Sequence, residues 1–173
     1  MGILSRVTLR AVAAGGWPRP AQSMQRDSAV SPGTGRFDAF RLVRERSALE
    51  GTVDAVALPR IADLIVAEPA PIRWRIRGTV DAMGRPALDL DIEGELPLTC
   101  QRCLGVLRWP VDEHSEVLLG RSADEVAHLD NNSELEVVLA SGPVDPLELV
   151  EDELVLAVPF APRHASDECA PPT

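Results

Sequence analysis

The sequence predicts an α+β domain. Its antiparallel β-sheet is a meander or a partly closed barrel, with a Cys-x-x-Cys knuckle between two strands and a C-terminal amphipathic helix packed on the sheet. Three observations carry that expectation. Apolar and polar residues alternate strictly through most of 72–98, the pair Cys100 and Cys103 falls between two strand-like runs, and residues 145–158 have helical spacing with their own start and stop signals.

In chain order, FDAFRLVRERSALEG (37–51) sets Phe37, Phe40 and Val43 on one helical face with arginines opposite, and Gly51 supplies a stop. LPRIADLIVAEP (58–69) predicts a short helix beginning at Pro59, a residue suited to a first helical turn, with Leu58, Ile61, Leu64 and Ile65 as its buried stripe. The period then changes to two. Ile72, Trp74, Ile76 and Val80 share one parity, as do Leu88, Leu90, Ile92, Leu96 and Leu98, with Asp89, Asp91, Glu93 and Glu95 between the latter. A turn around Met83-Gly84-Arg85 folds these runs into a hairpin that sets Arg73, Arg75 and Arg77 opposite Asp89, Asp91 and Glu93. Such cross-strand pairs contribute about 0.2–1 kcal/mol each, so the ladder reads as structural.

VLRWPVDEHSEVLLG (106–120) predicts another strand, with Leu107, Trp109, Val111, Val117 and Leu119 in phase and Pro110 marking an edge or a bulge. RSADEVAHLDNNS is expected to be a polar mobile loop, and ELEVVLASG a short strand. In VDPLELVEDELVLAVPFAP (144–162), Asp145 is an N-cap, Pro146 opens the first turn and Glu148 completes a capping box. Leu147, Val150, Leu154, Ala157 and Val158 form the predicted apolar face, Glu151, Asp152 and Glu153 point outward, and Pro159 ends the helix.

The division expected from composition is a leader over 1–36, a single domain over 37–169 and a tail over 170–173. The leader is rich in Gly, Pro, Ser and Ala. Its start, MGILSRVTLRAVAAGG, faintly resembles an organelle transit peptide, but a disordered leader is the preferred reading, with Met24 an alternative start to Met1. No apolar run approaches the length of a membrane span. Three cysteines are too few for a secreted disulfide framework.

The chain carries a formal net charge of −10, and all 17 basic residues are arginine. Residues 1–46 hold eight arginines and three acids, leaving −15 on the rest. A domain of that sign repels phosphate backbones and lacks the basic patch of a typical nucleic-acid binder. A role near RNA would therefore run through a protein partner or the basic N-terminal segment.

Chemistry concentrates at the cysteines. A knuckle between strands aims two thiolates at one ion, and Cys169 and His164 complete a Cys3His tetrahedral zinc set of Cys100, Cys103, His164 and Cys169. Three other readings stay open. A redox pair would normally begin at a helix N-terminus, which the strand-like flanks do not provide. A Cys100–Cys103 disulfide is disfavoured in a reducing cytosol. The third is a simple turn with small residues. His114 in DEHSE and His128 read as solvated. Glu148, Glu151 and Asp152 suggest paired carboxylates, but an exposed helix face accounts for them, and no phosphate-cradling loop or nucleophile elbow occurs.

Cys100-Gln-Arg-Cys103, the helix over 145–158, and the ending Pro162…His164…Cys169, together with SALEGTVDAVALPRIADLI (47–65), resemble the bacterial YceD family of large ribosomal RNA subunit accumulation proteins. The resemblance implies a cytoplasmic, non-enzymatic accessory factor promoting accumulation or processing of large-subunit (23S) ribosomal RNA. The partners implied are ribosome-assembly proteins or the rRNA precursor, with neither a membrane nor a small-molecule substrate. The competing expectation is a zinc- or thiol-dependent sensor or adaptor acting through the cysteine pair. Family members often continue past the last cysteine, whereas this chain stops at Ala-Pro-Pro-Thr.

Overall fold

The computed structural model describes residues 35–165 and Cys169. The expectations for residues 1–34 and for the tail at 170–173 lie outside the described residues. The elements are α1 (Ala39–Glu45), β1 (Ala48–Val53), a 3-10 turn (Ala55–Ala57), α2 (Pro59–Ala62), β2 (Ile72–Val80), β3 (Pro86–Thr99), β4 (Val106–Gly120), α3 (Ala123–Asp130), β5 (Val137–Leu139) and α4 (Pro146–Ala157). The five strands lie in sequence order in one sheet. The architecture is the α+β arrangement expected, and the sheet is open.

The alternation over 72–98 does what its parity requires except at Val80, which is exposed at the end of β2 beside the turn. Ile72, Ile76, Leu88, Leu90, Ile92, Leu96 and Leu98 are buried on one face. Opposite them in register stand Arg73 and Glu93, Arg75 and Asp91, and Arg77 and Asp89, the predicted pairing. Arg73 and Arg77 form ion pairs across it, at 2.6 and 2.5 Å. The turn that fixes this register needs a positive φ, which Gly84 supplies at +80°. The Asp81 carboxylate ties the turn together by accepting from the Met83 and Arg85 amides.

Several local expectations change. The first helix ends at Arg46 in a left-handed cap, and 48–53 becomes strand β1, with Gly51 opposite Trp74 rather than stopping a helix. The buried side chains of α1 are Ala39 and Leu42, with Phe40 and Val43 only partly covered. In the second helix Leu58 and Ile61 are buried, but Leu64 is exposed because α2 lasts only to Ala62. RSADEVAHLDNNS contains α3, capped by the Ser122 hydroxyl, which accepts from the Glu125 amide at 3.2 Å. α3 is the crossover that lets β5 run parallel to β4, so the sheet is mixed rather than wholly antiparallel. Pro110 sits where β4 is the sheet edge, since β5 covers only Leu118–Gly120.

On the apolar face two contiguous clusters form the core. One joins α1 to the β2–β4 strands and Leu149, and the other packs α2 and α4 residues Val150 and Leu154 against Ile72, Ile92, Leu96, Leu98 and Val111. Asp145 caps α4 by accepting from the Leu147 amide at 2.9 Å, one residue short of the amide a capping box uses. Glu151 does not point outward. It is buried, accepting from the Arg60 amide at 2.7 Å and pairing with the Arg60 guanidinium at 3.1 Å, which pins α4 to α2. No helix among the described residues is long and apolar enough to cross a membrane.

Candidate metal centre

β3 delivers Cys100 at its C-terminal end and β4 departs at Val106, so the knuckle sits at one end of the longest hairpin. Two main-chain bonds close it: the Leu104 amide donates to the Cys100 carbonyl and the Cys100 amide to the Gly105 carbonyl, both at 2.9 Å. Closure puts Leu104 in the left-handed region at φ 60°, a conformation that costs a branched side chain free energy and that only an over-determined turn holds. After α4 the chain returns along the knuckle, where the Gln101 amide donates to the Pro162 carbonyl at 2.8 Å. That contact delivers His164 and Cys169.

The four predicted residues converge. The thiol and imidazole donor atoms of Cys100, Cys103, His164 and Cys169 all lie within 4.8 Å of one another. Cys100 Sγ and Cys169 Sγ are 3.7 Å apart, and Cys103 Sγ is 3.4 Å from His164 Nδ1. A tetrahedral zinc with metal–sulfur bonds of about 2.3 Å has sulfur–sulfur edges of about 3.8 Å, and with a metal–nitrogen bond of about 2.0–2.1 Å a sulfur–nitrogen edge of about 3.6 Å. Both observed edges agree. All three cysteines are free, and Cys100 and Cys169 are buried, forming with Leu107 a small cluster of their own beneath the knuckle.

His164 is held for the task. Its Nε2 lies 3.0 Å from the Val106 carbonyl, which can only accept, so Nε2 carries the proton and Nδ1 presents its lone pair toward the sulfurs. The Val106 carbonyl, and then the Cys100 sulfur, raise the imidazole pKa above its ordinary value. Burial opposes ionisation of Cys100, yet the amides of Cys103, His164 and Arg102 overcome it and hold its thiol at about 5. Burial, then the neighbouring sulfurs of Cys103 and Cys100, push Cys169 up to about 11. Without an ion, a Cys100 thiolate opposes a second charge at Cys169, and a divalent cation is what would offset that repulsion.

The other candidate groups are placed elsewhere. His114 Nδ1 is on the outer sheet face, 2.7 Å from Asp91, and His128 is in α3. Asp152 pairs with Arg60 at 2.6 Å, beside Glu151. Sequence reasoning missed the Val106 carbonyl and the Pro162 carbonyl, because main-chain partners leave no residue-type signal.

The profile of the family described as "Large ribosomal RNA subunit accumulation protein YceD" matches residues 88–173, from β3 through all four candidate ligands. The chain belongs to the YceD family. It is also similar to the YceD protein of Haemophilus influenzae, "Large ribosomal RNA subunit accumulation protein YceD", at 25% identity over 135 residues, covering 76% of each chain. No solved structure matches the chain. The YceD match takes in the hairpin, knuckle and α4 together, so the segment that builds the cluster is the one the family shares.

Proposed function

We propose that this protein is a non-enzymatic cytoplasmic accessory factor of ribosome biogenesis that promotes accumulation or processing of large-subunit ribosomal RNA. A single structural zinc ion bound by Cys100, Cys103, His164 and Cys169 would hold its C-terminal segment against the β3–β4 knuckle. The observation that carries the reading is the family match across 88–173, which contains the whole cluster. The zinc assignment is supported by the donor set, by the 3.7 Å sulfur–sulfur edge and by the fixed His164 tautomer.

A closed set of four protein ligands is the pattern of a structural site, since a catalytic zinc keeps a position open for water or substrate. Away from the cluster, Glu151 and Asp152 are both bound to Arg60, which suits a helix clamp better than acid–base work. The domain's acidic balance favours contact through assembly proteins over direct contact with the RNA backbone.

Deleting the gene and measuring large-subunit rRNA and subunit profiles tests the role. The expected result is a deficit of large-subunit rRNA, restored by the intact gene; unchanged rRNA with normal profiles would contradict it. The second reading, a metal or thiol sensor, is favoured by the half-exposed Cys103 and the low Cys100 pKa. It predicts metal release or oxidation with the fold intact, whereas a structural site loses the fold.

A further inference from the structure

β4 has a free edge. Its neighbour β5 covers only Leu118–Gly120, where the Leu118 amide donates to the Glu136 carbonyl and the Ala140 amide to the Gly120 carbonyl. The β3–β4 register runs without a bulge, so main-chain groups alternate sides along β4. Since Leu118 and Gly120 face away from β3, so do Asp112, His114 and Glu116. At the far end the Val106 carbonyl keeps the same parity and is taken by His164. Among the described residues no main-chain hydrogen bond satisfies the outward groups of Asp112, His114 and Glu116. Asp112, Glu113 and His114 are exposed.

The unpaired charges along this edge share one sign, the nearby Arg73, Arg77 and Arg108 each being paired with an acid of β3. Asp112 and Glu116 lie on its outer face and Glu113 on its core face, and none forms an ion pair among the described residues. Glu136 stands at the β5 end, and Glu153 of α4 comes near enough that burial, together with Glu136, Glu113 and Asp152, raises its carboxyl pKa. Edge strands are commonly protected from self-pairing by charge and proline, and Pro110 and these acids do so here. Pairing with a second copy would stack acids on acids. A nucleic-acid backbone would meet the same repulsion. An extended segment rich in Lys or Arg would relieve it and fill the unpaired ladder.

We propose that the Asp112–Glu116 edge of β4 is a docking strand for an extended, Lys/Arg-rich segment of a partner protein, which adds to the sheet as a sixth strand. Main-chain hydrogen bonds supply the adhesion, and the acids on both faces select for basic side chains. The inference names the partner chemistry for the function proposed above. It is tested on the purified chain, so an rRNA deficit in a deletion strain and failure of this docking are separate outcomes.

The test uses the full chain and a short synthetic peptide alternating Arg or Lys with Val or Thr, with an acidic peptide of the same pattern and an oligouridine as comparisons. Binding is followed by fluorescence titration and by residue-resolved amide hydrogen exchange. The expected result is saturable binding of the basic peptide alone, with slowed exchange at the Asp112, His114 and Glu116 amides. The Glu113→Gln/Glu116→Gln double variant should bind about tenfold more weakly, as loss of two rim charges implies. Both are conservative surface changes, and circular dichroism checks that the variant is folded. No binding, protection elsewhere, an unweakened double variant, or protection of these amides by oligouridine would each overturn the proposal.

Discussion

Withdrawing the metal from the Cys3His cluster should loosen the whole domain. The ion would link Cys100 to Cys169 across 69 residues, a span that includes β4, α3, β5 and α4. Treated as a cross-link, it removes about 15 cal/mol/K of loop-closure entropy from the unfolded chain. For a domain of this size that corresponds to a loss of about 9–18 °C in Tm when the link is lost. The assay is thermal unfolding of the as-purified protein before and after a high-affinity chelator, with zinc titrated back. The chelated protein should melt at the lower temperature and recover with one equivalent of zinc. Cys100→Ser should melt low from the start and ignore the chelator. If zinc is demonstrably removed and Tm does not move, the cluster is not the fastening described here.

Three further predictions follow from the packing. Glu151→Ala leaves the Arg60 amide without its acceptor and the guanidinium with Asp152 alone, and should lower Tm by about 3–10 °C, with Glu151→Gln recovering part of the loss in the same melt. Gly78→Ala drives a methyl into the Leu42 carbonyl where α1 crosses β2, and should cost about 1–3 kcal/mol in a denaturant titration. Glu153 has its folded pKa raised, so the folded state holds its proton at a pH where the unfolded state has lost it. Stability then falls as pH rises from the unfolded value through the folded one. Glu153→Gln should accordingly raise Tm at pH 7 and leave it unchanged below the ordinary carboxylate pKa; an equal effect at both pH values would refute the assignment.

The sheet hairpin was legible because its inward positions are mostly apolar while the outward runs Arg73, Arg75, Arg77 and Asp89, Asp91, Glu93, Glu95 are charged, a pattern with only one register that buries it. The α4 start was legible through Asp145 and Pro146. By contrast, β1 was hidden by Gly51, which reads as a helix stop in sequence but in the structure is where Trp74 of the neighbouring strand packs closely. α3 was hidden because none of its residues is buried, so it leaves no apolar stripe; its Ser122 cap and the Arg121–Glu125 pair are what mark it. Parallel β5 depended on that unseen crossover. Glu151 reads as outward-facing by its charge alone, while its partner Arg60 lies 91 residues away. The four metal-ligand candidates could be picked by residue type, but their convergence rests on the Gln101–Pro162 and His164–Val106 main-chain contacts, which sequence does not display.

The most direct test of the account is the metal content and ligand environment of protein purified without chelators or a nickel column. One zinc per chain is predicted, with X-ray absorption giving three sulfur ligands at about 2.3 Å and one nitrogen at about 2.0–2.1 Å. Cys169→Ser should lose a sulfur or the ion itself. A folded protein with no zinc, or with an environment built from two sulfurs and solvent, would contradict it.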